Sequence, residues 1–565
     1  MKKASVQLVI VLALSLFVLL LACSNQNKEE FFENGALATA APIATDIGVE
    51  VFKRGGNAFD VAVAVGFALA VVHPEAGNIG GGGFAVIRDG KTGEIKALDF
   101  REKAPLAAHE KMYLDSSGNV IEGLSTLGAL SCGVPGTVAG LYEIWKTYGT
   151  MEWKDLIGIS AVLADSGFVL DEYQSYHFKE YKEELDTFEE TSALFFPSGM
   201  SLEPGERIYF KDLSRVLSQI AAKGPTAFYQ GEIADSIVAT MKRRGGIISK
   251  DDLTAYTAVW REPIHFKFDS LDIYSMPPPS SGGLVIGEIL KILEPFDFSK
   301  FGPDSIKYIH LFCEAARLAY ADRSRHLGDP DYHQVPGFLL DDAYLTTRRT
   351  LIDPNHANSS KDIQPGSFQI PESKQTTHFS VADKSGNIVA LTYTLNSSYG
   401  SKLVVRGCGF LLNNEMDDFA IAPGHANLYG LVGGDANKVE PGKRMLSSMS
   451  PTIVLKNGTP FLTLGSPGGS EIITSVAQVI LNCTRFEMSL QESINYPRFH
   501  HQWLPDKVEI EQNSFNINFK QGLIRLGHNI EEFKPSSEIH AIYFNQAGLM
   551  SGGADPRGRG TVGGF

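Results

Sequence analysis

Two threonines and an asparagine carry the clearest chemical signal in this sequence. Residues 376–383 (TTHFSVAD) alternate like a strand, residues 384–386 (KSG) form a turn, and residues 387–396 return as a second strand. A three-residue hairpin loop with glycine in its left-handed position is a common connection. Its register places Thr394 opposite Thr376, and Asn396 points to the same face two residues later. The spacing predicts two hydroxyls and an amide on one face, although a plain cross-strand threonine pair has the same pattern.

A free amine on Thr376 would make this group reactive. A hydroxyl is a poor nucleophile until a base removes its proton. Cutting the chain after Gln375 would give Thr376 an α-amino group, whose reference pKa of roughly 8 suits a base near neutral pH. One residue would then supply both the nucleophile and its base.

The N-terminal elements that must position this hairpin begin with helices. Residues 36–56 predict a helix that ends in a glycine pair. Asn57 or Asp60 caps a second helix, almost wholly apolar, which Pro74 stops. Residues 84–100 then alternate as a hairpin around an Asp-Gly turn. A helix that is apolar all round belongs in a deep core.

The chain changes character at one seam. Residues 137–350 predict mostly helices, whereas strands and turns dominate from residue 376 onward. Between them, residues 353–375 are polar and hold three prolines. A structureless stretch of that length inside a compact chain is usually functional or a linker.

The composition bounds the class of protein. The chain has 565 residues, 43% of them hydrophobic and 20% charged, and a formal charge of −15. That length allows two to four domains or one large one. Nucleic-acid affinity comes mainly from Lys and Arg that displace counterions, so an acidic chain is not expected to bind nucleic acid.

The N-terminus has the pattern of an export signal. Two lysines precede an apolar run at residues 8–22, which is nearer a secretory signal than the roughly 20 apolar residues of a membrane span. Residues 20–23 (LLAC) resemble a bacterial lipobox, in which Cys23 becomes the lipidated first residue, and the following Ser24 favours the outer membrane. We expect residues 1–22 to be a signal peptide and the chain to be exported, either to the periplasm or with a lipid anchor. Plain cleavage and an uncleaved anchor are the alternatives.

Four further cysteines match no CxxC metal pattern and no nucleophile signature. An oxidising compartment permits disulfides, and buried free thiols are an equally open interpretation. These residues are Cys132, Cys313, Cys408 and Cys483.

The string TTHFSVADKSGNIVALTYTLNSSYGS at residues 376–401 closely resembles the start of the small subunit of bacterial γ-glutamyltransferases (γ-glutamyltranspeptidases). Segments in the same order extend the likeness over nearly the whole mature chain, and together they are highly specific. They are GGNAFDVAVAVGFALAVVHPEAGNIGGGGF (55–84), DFREKAP (99–105), AYADRSRHLGDPDY (319–332), LLNNEMDDF (411–419), NLYGLVGGDAN (427–437), LSSMSPT (446–452), GSPGGS (465–470), YPRFHHQW (496–503) and ADPR (554–557).

The resemblance implies an α+β fold of the N-terminal-nucleophile hydrolase class, a four-layer αββα sandwich. The family's precursor cleaves itself into two subunits that stay associated as a heterodimer. Carried over, the cut falls between Gln375 and Thr376, inside the polar seam. The large subunit would comprise residues 23–375, and the small catalytic subunit residues 376–565.

A γ-glutamyl donor presents an α-carboxylate, an α-ammonium and, at its far end, the reacting carbonyl. The resemblance assigns Arg101 to the carboxylate, which a two-pronged guanidinium can clamp. It adds the hydroxyls of Ser447 and Ser448. Taken alone, Arg101 would be interpreted as a surface arginine and the Ser-Ser pair as an ordinary loop.

For the ammonium, the resemblance assigns Asn396, Glu415 and Asp418. The two acids follow an Asn-Asn pair, and acids in a loop are otherwise usually solvated. Some bacterial relatives carry Gln where this chain has Glu415, so the strength of ammonium binding stays open.

Residues 465–470 (GSPGGS) predict a turn whose backbone N–H groups point into one hollow. Glycine lets a backbone approach a ligand closely, and such nests hold anions. The resemblance assigns Gly468 and Gly469 to the oxyanion hole. A phosphate loop is disfavoured, because no Lys-Ser/Thr follows.

We expect neither a cofactor nor a metal. The four glycines at residues 80–83 favour close packing near the core over a nucleotide site. His500 and His501 lack matching ligands at useful spacing and are interpreted as structural.

Residues 422–437 match a lid loop that some family members have and others lack. Tyr429 falls where the family's lid aromatic gates the glutamyl pocket. A lid of this kind excludes water and gates substrate entry.

Three functions are weighed. The first is γ-glutamyl transfer and hydrolysis, with glutathione as donor and with water, amino acids or dipeptides as acceptors. The second keeps the fold but changes the substrate, to that of a cephalosporin or glutaryl acylase or of a poly-γ-glutamate depolymerase. The third is a surface lipoprotein that only binds peptides or amino acids. Thr376 after a cleavable loop disfavours the third, and the charged pocket residues with the lid favour a small amino-acid-like donor.

Overall fold

A hairpin with the predicted register lies at the centre of the larger sheet. In this computed structural model, Thr377 pairs with Tyr393 and Ala382 with Ile388, as the three-residue loop predicted. Both strands are buried along their whole length. The hairpin therefore fixes the place of Thr376, the residue immediately before its first strand.

The structure describes residues 29–363, 376–422, 427 and 434–565. Its helices, numbered in chain order, are α1 Pro42–Lys53, α2 Ala58–Val72, α3 Thr137–Tyr148, α4 Trp153–Ser166, α5 Glu172–Glu180, α6 Lys182–Leu185, α7 Glu189–Phe195, α8 Lys211–Lys223, α9 Pro225–Tyr229, α10 Glu232–Arg244, α11 Lys250–Thr254, α12 Gly282–Leu293, α13 Ile306–His326, α14 Asp342–Arg349, α15 Glu471–Thr484, α16 Leu490–Asn495 and α17 Ile517–Arg525. Short 3-10 helices span Ala129–Ser131, Gly337–Leu340, Glu415–Asp418 and Asp435–Asn437.

The strands are likewise numbered in chain order. They are β1 Gly35–Thr39, β2 Gly82–Arg88, β3 Ile95–Phe100, β4 Phe168–Val169, β5 Arg207–Ile208, β6 Val259–Arg261, β7 Ile264–Phe268, β8 Leu271–Ser275, β9 Thr377–Asp383, β10 Ile388–Thr394, β11 Thr452–Lys456, β12 Thr459–Gly465, β13 Phe499–His500, β14 Val508–Glu511, β15 Ile530–Phe533, β16 His540–Phe544, β17 Met550–Ala554 and β18 Thr561–Gly564.

Two antiparallel sheets form the middle of the molecule. Sheet I has the order β18-β1-β9-β10-β2-β3-β6, and sheet II has the order β17-β16-β12-β11-β8-β7. The sheets face each other, with β9 packed against β12 and β16. Helix α2 covers sheet I at β9 and β10, while α12 and α15 cover sheet II at β7 and β12. This helix–sheet–sheet–helix order confirms the four-layer αββα sandwich.

The predicted helix over residues 36–56 is wrong in its first part. Residues 35–39 form β1, which pairs with β9 and β18, and the helix begins only at Pro42. All five residues of β1 are buried. A place between two strands outweighs the helical propensity of alanine and leucine there. The next helix is confirmed, because Asn57 caps α2 and Asp60 completes a capping box.

The hairpin predicted at residues 84–100 is confirmed by β2 and β3. The mostly helical interpretation of residues 137–350 is incomplete, because β7 and β8 form one flank of sheet II. Buried side chains alternate with exposed ones in β7 and with partly exposed ones in β8, the period-2 pattern of a half-buried strand.

Several sequence predictions lie outside the described residues. They are the signal at residues 1–22, the lipid on Cys23, the last part of the polar seam and Tyr429. Among the described helices, none combines the length and the apolar character that crossing a membrane requires.

The four cysteines left open above are free thiols in the described structure. Burial raises the pKa of the Cys132 thiol to about 12 and that of Cys483 to about 11. Neither has the depressed pKa of a reactive cysteine.

Candidate active site

The hydroxyls of Thr376 and Thr394 meet at the end of the hairpin. Their oxygens lie 3.5 Å apart, and the backbone N–H of Asn396 donates to Thr394 Oγ1 at 2.7 Å. The first distance is long for a hydroxyl hydrogen bond, but catalytic contacts often tighten only when substrate binds. Thr376 is only 5% exposed. The predicted convergence on one face is therefore present.

The glycines at residues 80–83 hold the strand end that carries Thr394. A Cβ on Gly81 would lie 1.9 Å from the Thr394 carbonyl oxygen, and one on Gly83 would lie 2.4 Å from that of Thr392. Only glycine allows the backbones to approach this closely. The structure confirms close packing as the reason for this run.

A pocket of about 280 Å³ opens beside the two threonines. Its walls bring together the residue after β3, the end of β10, the 3-10 helix at residues 415–418, the segment before β11, the turn after β12, and helices α13 and α15. The lining residues are Arg101, Arg323, Thr376, Thr394, Asn396, Glu415, Asp418, Ser447, Ser448, Met449, Gly469 and Ile472. Nine of the eleven sequence-predicted site residues therefore share one cavity. Gly468 adjoins it, and Tyr429 lies outside the described residues.

Arg101 is the centre of a buried ionic cluster. Its guanidinium lies 2.7 Å from a Glu415 carboxylate oxygen and 2.5 Å from one of Asp418. Its Nε–H donates to the Met445 carbonyl at 3.3 Å, and the hydroxyl of Tyr256 donates to the backbone carbonyl of Arg101. Arg101 is not a surface residue, since only 1% of it is exposed. The groups that the sequence assigned to opposite ends of a donor compensate one another here.

Burial raises the pKa of the acids in this cluster, because it disfavours their charged forms. It raises the pKa of Asp418 to about 6, although Arg101 opposes the rise. It also raises the pKa of Glu102 to about 8, again against Arg101, whose guanidinium lies 3.8 Å away. Glu415 shifts in the same direction for the same reason. Three acids around one guanidinium leave carboxylate capacity for a further cation.

Arg323 is a pocket residue that sequence reasoning missed. It projects from α13, where its guanidinium donates to Ser281 Oγ at 2.9 Å and to Ser448 Oγ at 3.3 Å. Burial lowers its pKa to about 10, against the pull of Asp418. The hydrogen-bond partners of its guanidinium in the described structure are two serine hydroxyls. A buried guanidinium bonded to neutral hydroxyls favours an anionic ligand.

The only sequence signal for Arg323 was its place in the segment at residues 319–332. That segment had no role of its own. The contact with Ser448 spans 125 positions of the chain, so only the folded structure could reveal it.

The serine pair is held from behind by the loop before α12. Ser447 N–H donates to the Pro279 carbonyl at 2.8 Å, and Ser281 Oγ donates to the Ser447 carbonyl at 2.7 Å. Ser447 Oγ accepts the N–H of Met449 at 3.1 Å. Ser447 and Ser448 thus have fixed backbones, and both line the pocket.

The turn at residues 465–470 joins β12 to α15. Gly468 and Gly469 have φ of +120° and +54°, which side chains rarely adopt. A Cβ on Gly468 would also lie 3.0 Å from the Ser537 backbone. Within the described chain no backbone acceptor takes their N–H groups. Together with the N-terminus of α15, these amides can bind a developing oxyanion.

The predicted lid is fastened to Asp418 at the points that the structure describes. Asn427 Nδ2 donates to Asp418 Oδ1 at 2.9 Å, and Asn437 Nδ2 donates to the Asp418 carbonyl at 2.7 Å. Sequence reasoning assigned no role to either asparagine. The segment therefore reaches the acid that was predicted to read the ammonium.

The described residues contain one group with the composition of a metal site, far from the pocket. His310 and His528 lie 2.8 Å apart and bond one another. Glu314 nearby is already bonded by Arg317 and Asn358. We interpret this group as a hydrogen-bonded network.

The predicted structural role of the two adjacent histidines fits their contacts. His500 bonds Thr474 at 2.7 Å and Gln502 at 2.9 Å. His501 Nδ1 accepts the N–H of Trp503 at 3.0 Å.

Comparison with known proteins extends this description. The family model for gamma-glutamyltranspeptidase matches residues 44–565. The glutathione hydrolase proenzyme of Escherichia coli (strain K12) is 46% identical over 527 residues, which cover 93% of this chain and 90% of that protein.

Two solved structures share the architecture. Cephalosporin acylase from Bacillus halodurans has a TM-score of 0.85 at 26% identity, and the match covers 96% of this chain and 97% of that chain. The gamma-glutamyltranspeptidase of Helicobacter pylori has a TM-score of 0.57 at 45% identity, covering 58% of this chain and 94% of that chain. The region matched by the family model includes every residue that lines the pocket.

Proposed function

Because the chain belongs to the γ-glutamyltranspeptidase family, we propose that it hydrolyses glutathione and transfers the γ-glutamyl group to amino-acid or dipeptide acceptors. One observation carries the proposal. The lining of one pocket combines buried groups of both charges with the hydroxyl of Thr376. Such a pocket suits a zwitterionic head with a carbonyl beyond it.

Thr376 is the nucleophile in this mechanism. Its free α-amino group removes the hydroxyl proton, and Oγ1 attacks the γ-carbonyl of the donor. The N–H groups of Gly468 and Gly469 stabilise the oxyanion. The amine of the leaving cysteinylglycine takes the proton back as the C–N bond breaks, and a γ-glutamyl ester remains on Thr376. Thr394 orients Oγ1 throughout.

Water or an acceptor amine then attacks the ester. The α-amino group of Thr376 takes a proton from this second nucleophile and returns it to Oγ1 as the ester bond breaks. Water yields glutamate, and an amine yields a new γ-glutamyl amide. The enzyme ends in the state in which it began.

Donor binding exchanges the partners of Arg101. The α-carboxylate takes the guanidinium together with the hydroxyls of Ser447 and Ser448, and Arg323 supplies the second positive charge. The ammonium takes Asp418, Glu415 and the Asn396 side chain. The site loses one set of ion pairs and gains another, which limits the net cost of desolvating the donor.

Thr376 acquires its free amine by self-cleavage after Gln375. The interleaved sheets support the proposal that residues 23–375 and 376–565 stay together as a heterodimer. The small chain's β9 and β10 lie between β1 and β2 of the large chain, and its β11 pairs with β8 of the large chain. Neither chain completes a sheet alone.

Export belongs to the same proposal, with residues 1–22 removed and a lipid on Cys23 at an outer membrane. Its support is the basic and apolar start and the lipobox-like residues 20–23. Cys23→Ser should move the activity from the membrane fraction to the soluble periplasmic fraction. Activity that stays in the same fraction would argue against the lipid.

A related acylase is the second candidate, favoured by the match to cephalosporin acylase over nearly the whole chain. A glutaryl donor lacks the α-ammonium. The buried acids Glu415 and Asp418 favour a donor with an α-ammonium group, so γ-glutamyl transfer and hydrolysis is the preferred hypothesis.

One assay separates these functions. The processed enzyme is given γ-glutamyl-p-nitroanilide or glutaryl-p-nitroanilide, each with and without glycylglycine. We expect turnover of the first, acceleration by the acceptor, and little turnover of the second. Preference for the glutaryl anilide would favour the acylase, and no turnover of either would refute the proposal.

A further inference from the structure

The proposed chemistry needs two groups from different sheets at a fixed separation. Thr376 precedes β9 in sheet I, whereas Gly468 and Gly469 follow β12 in sheet II. No backbone hydrogen bond joins these strands, since they belong to separate sheets. Their separation therefore depends on how one sheet is stacked on the other. A displacement of about 1 Å can cost about 100-fold in rate.

His378 lies at the contact between these two strands. It is two residues after Thr376, so its side chain projects from the same face of the strand. It is completely buried. Its ring lies against Gly465, the last residue of β12, where a Cβ would be 2.4 Å from His378 Cε1. The ring thus fills the space that any side chain at position 465 would take.

Ser380 makes the next contact along the same face of β9. Its hydroxyl donates to the carbonyl of His540 at 3.0 Å. His540 on β16 is the cross-strand partner of Gly465 on β12. His378 and Ser380, two successive residues on the same face of β9, therefore contact one residue pair of sheet II, Gly465 and His540.

The pair of Gly465 and His540 also lies on both sides of the turn at residues 465–470, which carries the two oxyanion-binding amides. Gly465 begins the turn, and the segment just before His540 contains Ser537, whose backbone lies under Gly468. A shift of the pair would move the turn with it.

The hydrogen bonds fix the ring's protonation. Because Ser380 uses its proton on His540, its oxygen accepts from His378 Nε2–H at 3.0 Å. His378 Nδ1 then accepts the hydroxyl proton of Thr392 at 2.8 Å. Thr392 is the cross-strand neighbour of His378 on β10. Burial also lowers the pKa of His378 well below its usual value, with His540 adding to the effect, so the ring is neutral.

We propose that His378 is a positioning residue, which fixes the stacking of sheet I on sheet II and so sets the distance from Thr376 Oγ1 to the amides of Gly468 and Gly469. The inference rests on the proposed function for its chemistry. An apolar residue of similar size would fill the space, but it would remove the acceptor of the buried Thr392 hydroxyl and the donor to the Ser380 oxygen.

The test compares His378→Leu with His378→Asn and His378→Gln. Asn retains an acceptor near Nδ1, and Gln retains a donor near Nε2. We expect His378→Leu to lower kcat for γ-glutamyl-p-nitroanilide about 100-fold and to slow self-cleavage in parallel. KM should stay within about threefold, because the groups that hold the donor head are untouched. The amide variants should recover about tenfold of the lost kcat, since each restores one buried hydrogen bond.

His310→Leu is the matched control. His310 is equally buried and bonds on both sides, to His528 and to the Asp353 carbonyl. It lies near the far end of α13 from Arg323 and does not line the pocket. It should lower Tm as much as His378→Leu does, with kcat within about twofold of wild type.

Two results would overturn the inference. One is a kcat of His378→Leu within about threefold of wild type. The other is a kcat loss that His310→Leu reproduces and that Asn and Gln do not relieve. If His378→Leu does not fold, Ser380→Ala and Thr392→Val decide the matter, because each removes a hydrogen bond to the ring and keeps the ring. Ser380→Ala also removes the bond to the His540 carbonyl. Each variant should then lower kcat about three- to tenfold, and unchanged values would refute the role.

Wild type is assayed first so that the two claims can fail separately. If wild type does not turn over the γ-glutamyl anilide, the proposed function fails. The self-cleavage rates of the same variants then still test the positioning role, because self-cleavage uses the same hydroxyl.

Discussion

The reacting end of the pocket and its charged end are built in different ways. At the reacting end, Thr376 and Thr394 belong to one hairpin and lie 18 positions apart in the chain. At the charged end, Arg101 meets Asp418 across 317 positions. The first arrangement follows from strand register. The second exists only after loops from distant parts of the chain have packed together.

This difference separates two kinds of failure. A change at the reacting end removes the chemistry but leaves the binding of the amino-acid head. A change at the charged end leaves the nucleophile but unbalances a buried ion network, so it weakens donor binding. Turnover number and KM should therefore report on different ends of one cavity.

Removing the nucleophile gives the largest expected effect. Thr376→Ala should lower kcat by at least about 10⁴-fold, because no other group can form the ester. It should also abolish self-cleavage, since one hydroxyl serves both reactions. Activity is measured by anilide turnover and cleavage by denaturing gel.

Thr377→Val is the control for this variant. Its hydroxyl is buried and has no hydrogen-bond partner among the described residues. The Thr377→Val variant should therefore cleave itself and turn over the anilide at the wild-type rate. Wild-type cleavage in Thr376→Ala would contradict the shared-nucleophile account.

Neutralising Asp418 or Glu415 should weaken donor binding at the charged end of the pocket. Losing one partner of a desolvated charge pair costs on the order of 2–5 kcal/mol, so Asp418→Asn should weaken donor binding at least about 30-fold. Glu415→Gln should be milder, because Gln still accepts a hydrogen bond. The measurement is the donor KM, or the inhibition constant of glutamate.

A donor without the α-amino group is the informative control for both acids. The variants should lose little further activity on glutaryl-p-nitroanilide. Equal losses on both donors would mean that Glu415 and Asp418 support the loop and do not read the substrate.

Replacing Arg101 tests the part of the charged end that binds the donor α-carboxylate. Arg101→Lys should raise KM about 10- to 100-fold, because a point charge cannot replace a bidentate guanidinium. Arg498→Lys is matched to it, since Arg498 is equally buried and pairs with Asp555 at 3.2 Å outside the pocket. An unchanged KM in Arg101→Lys would remove Arg101 from the donor site.

The smallest effect is a pH dependence at the charged end. Burial raises the pKa of Asp418 to about 6, so this acid gains a proton as the pH falls through that value. It then no longer attracts the donor ammonium. Protonation of the Thr376 amine lowers kcat/KM over the same range in every variant, and Asp418 should add a further fall of about fourfold between about pH 7 and about pH 5.5. Asp418→Asn should lack this additional fall. An identical profile in that variant would assign the additional fall to another group.

The two ends also differ in what could be read from the sequence. The hairpin at residues 376–396 was predictable in register, because a three-residue loop and a period of two leave little freedom. Gly468 and Gly469 were identifiable as a nest, since positive φ values favour glycine. Both signals are local.

Long-range features were not predictable in the same way. β1 reads as a helix because its alanines and leucine carry no strand preference, and only its place between β9 and β18 makes it a strand. The role of Arg323 depends on Ser448 and Ser281, which come to it from distant segments. The ion pairs of Arg101 were missed for the same reason: resemblance named the residues, but it did not show that they compensate one another.

The central claim is that Thr376, once freed, carries the γ-glutamyl group. It is tested most directly by mixing processed enzyme with γ-glutamyl-p-nitroanilide, quenching in acid and measuring intact and peptide masses. We expect a small chain that starts at Thr376, heavier by one glutamyl residue, with the added mass on Thr376. An active enzyme that consists of one uncut chain, or one whose added mass lies on another residue, would contradict the account.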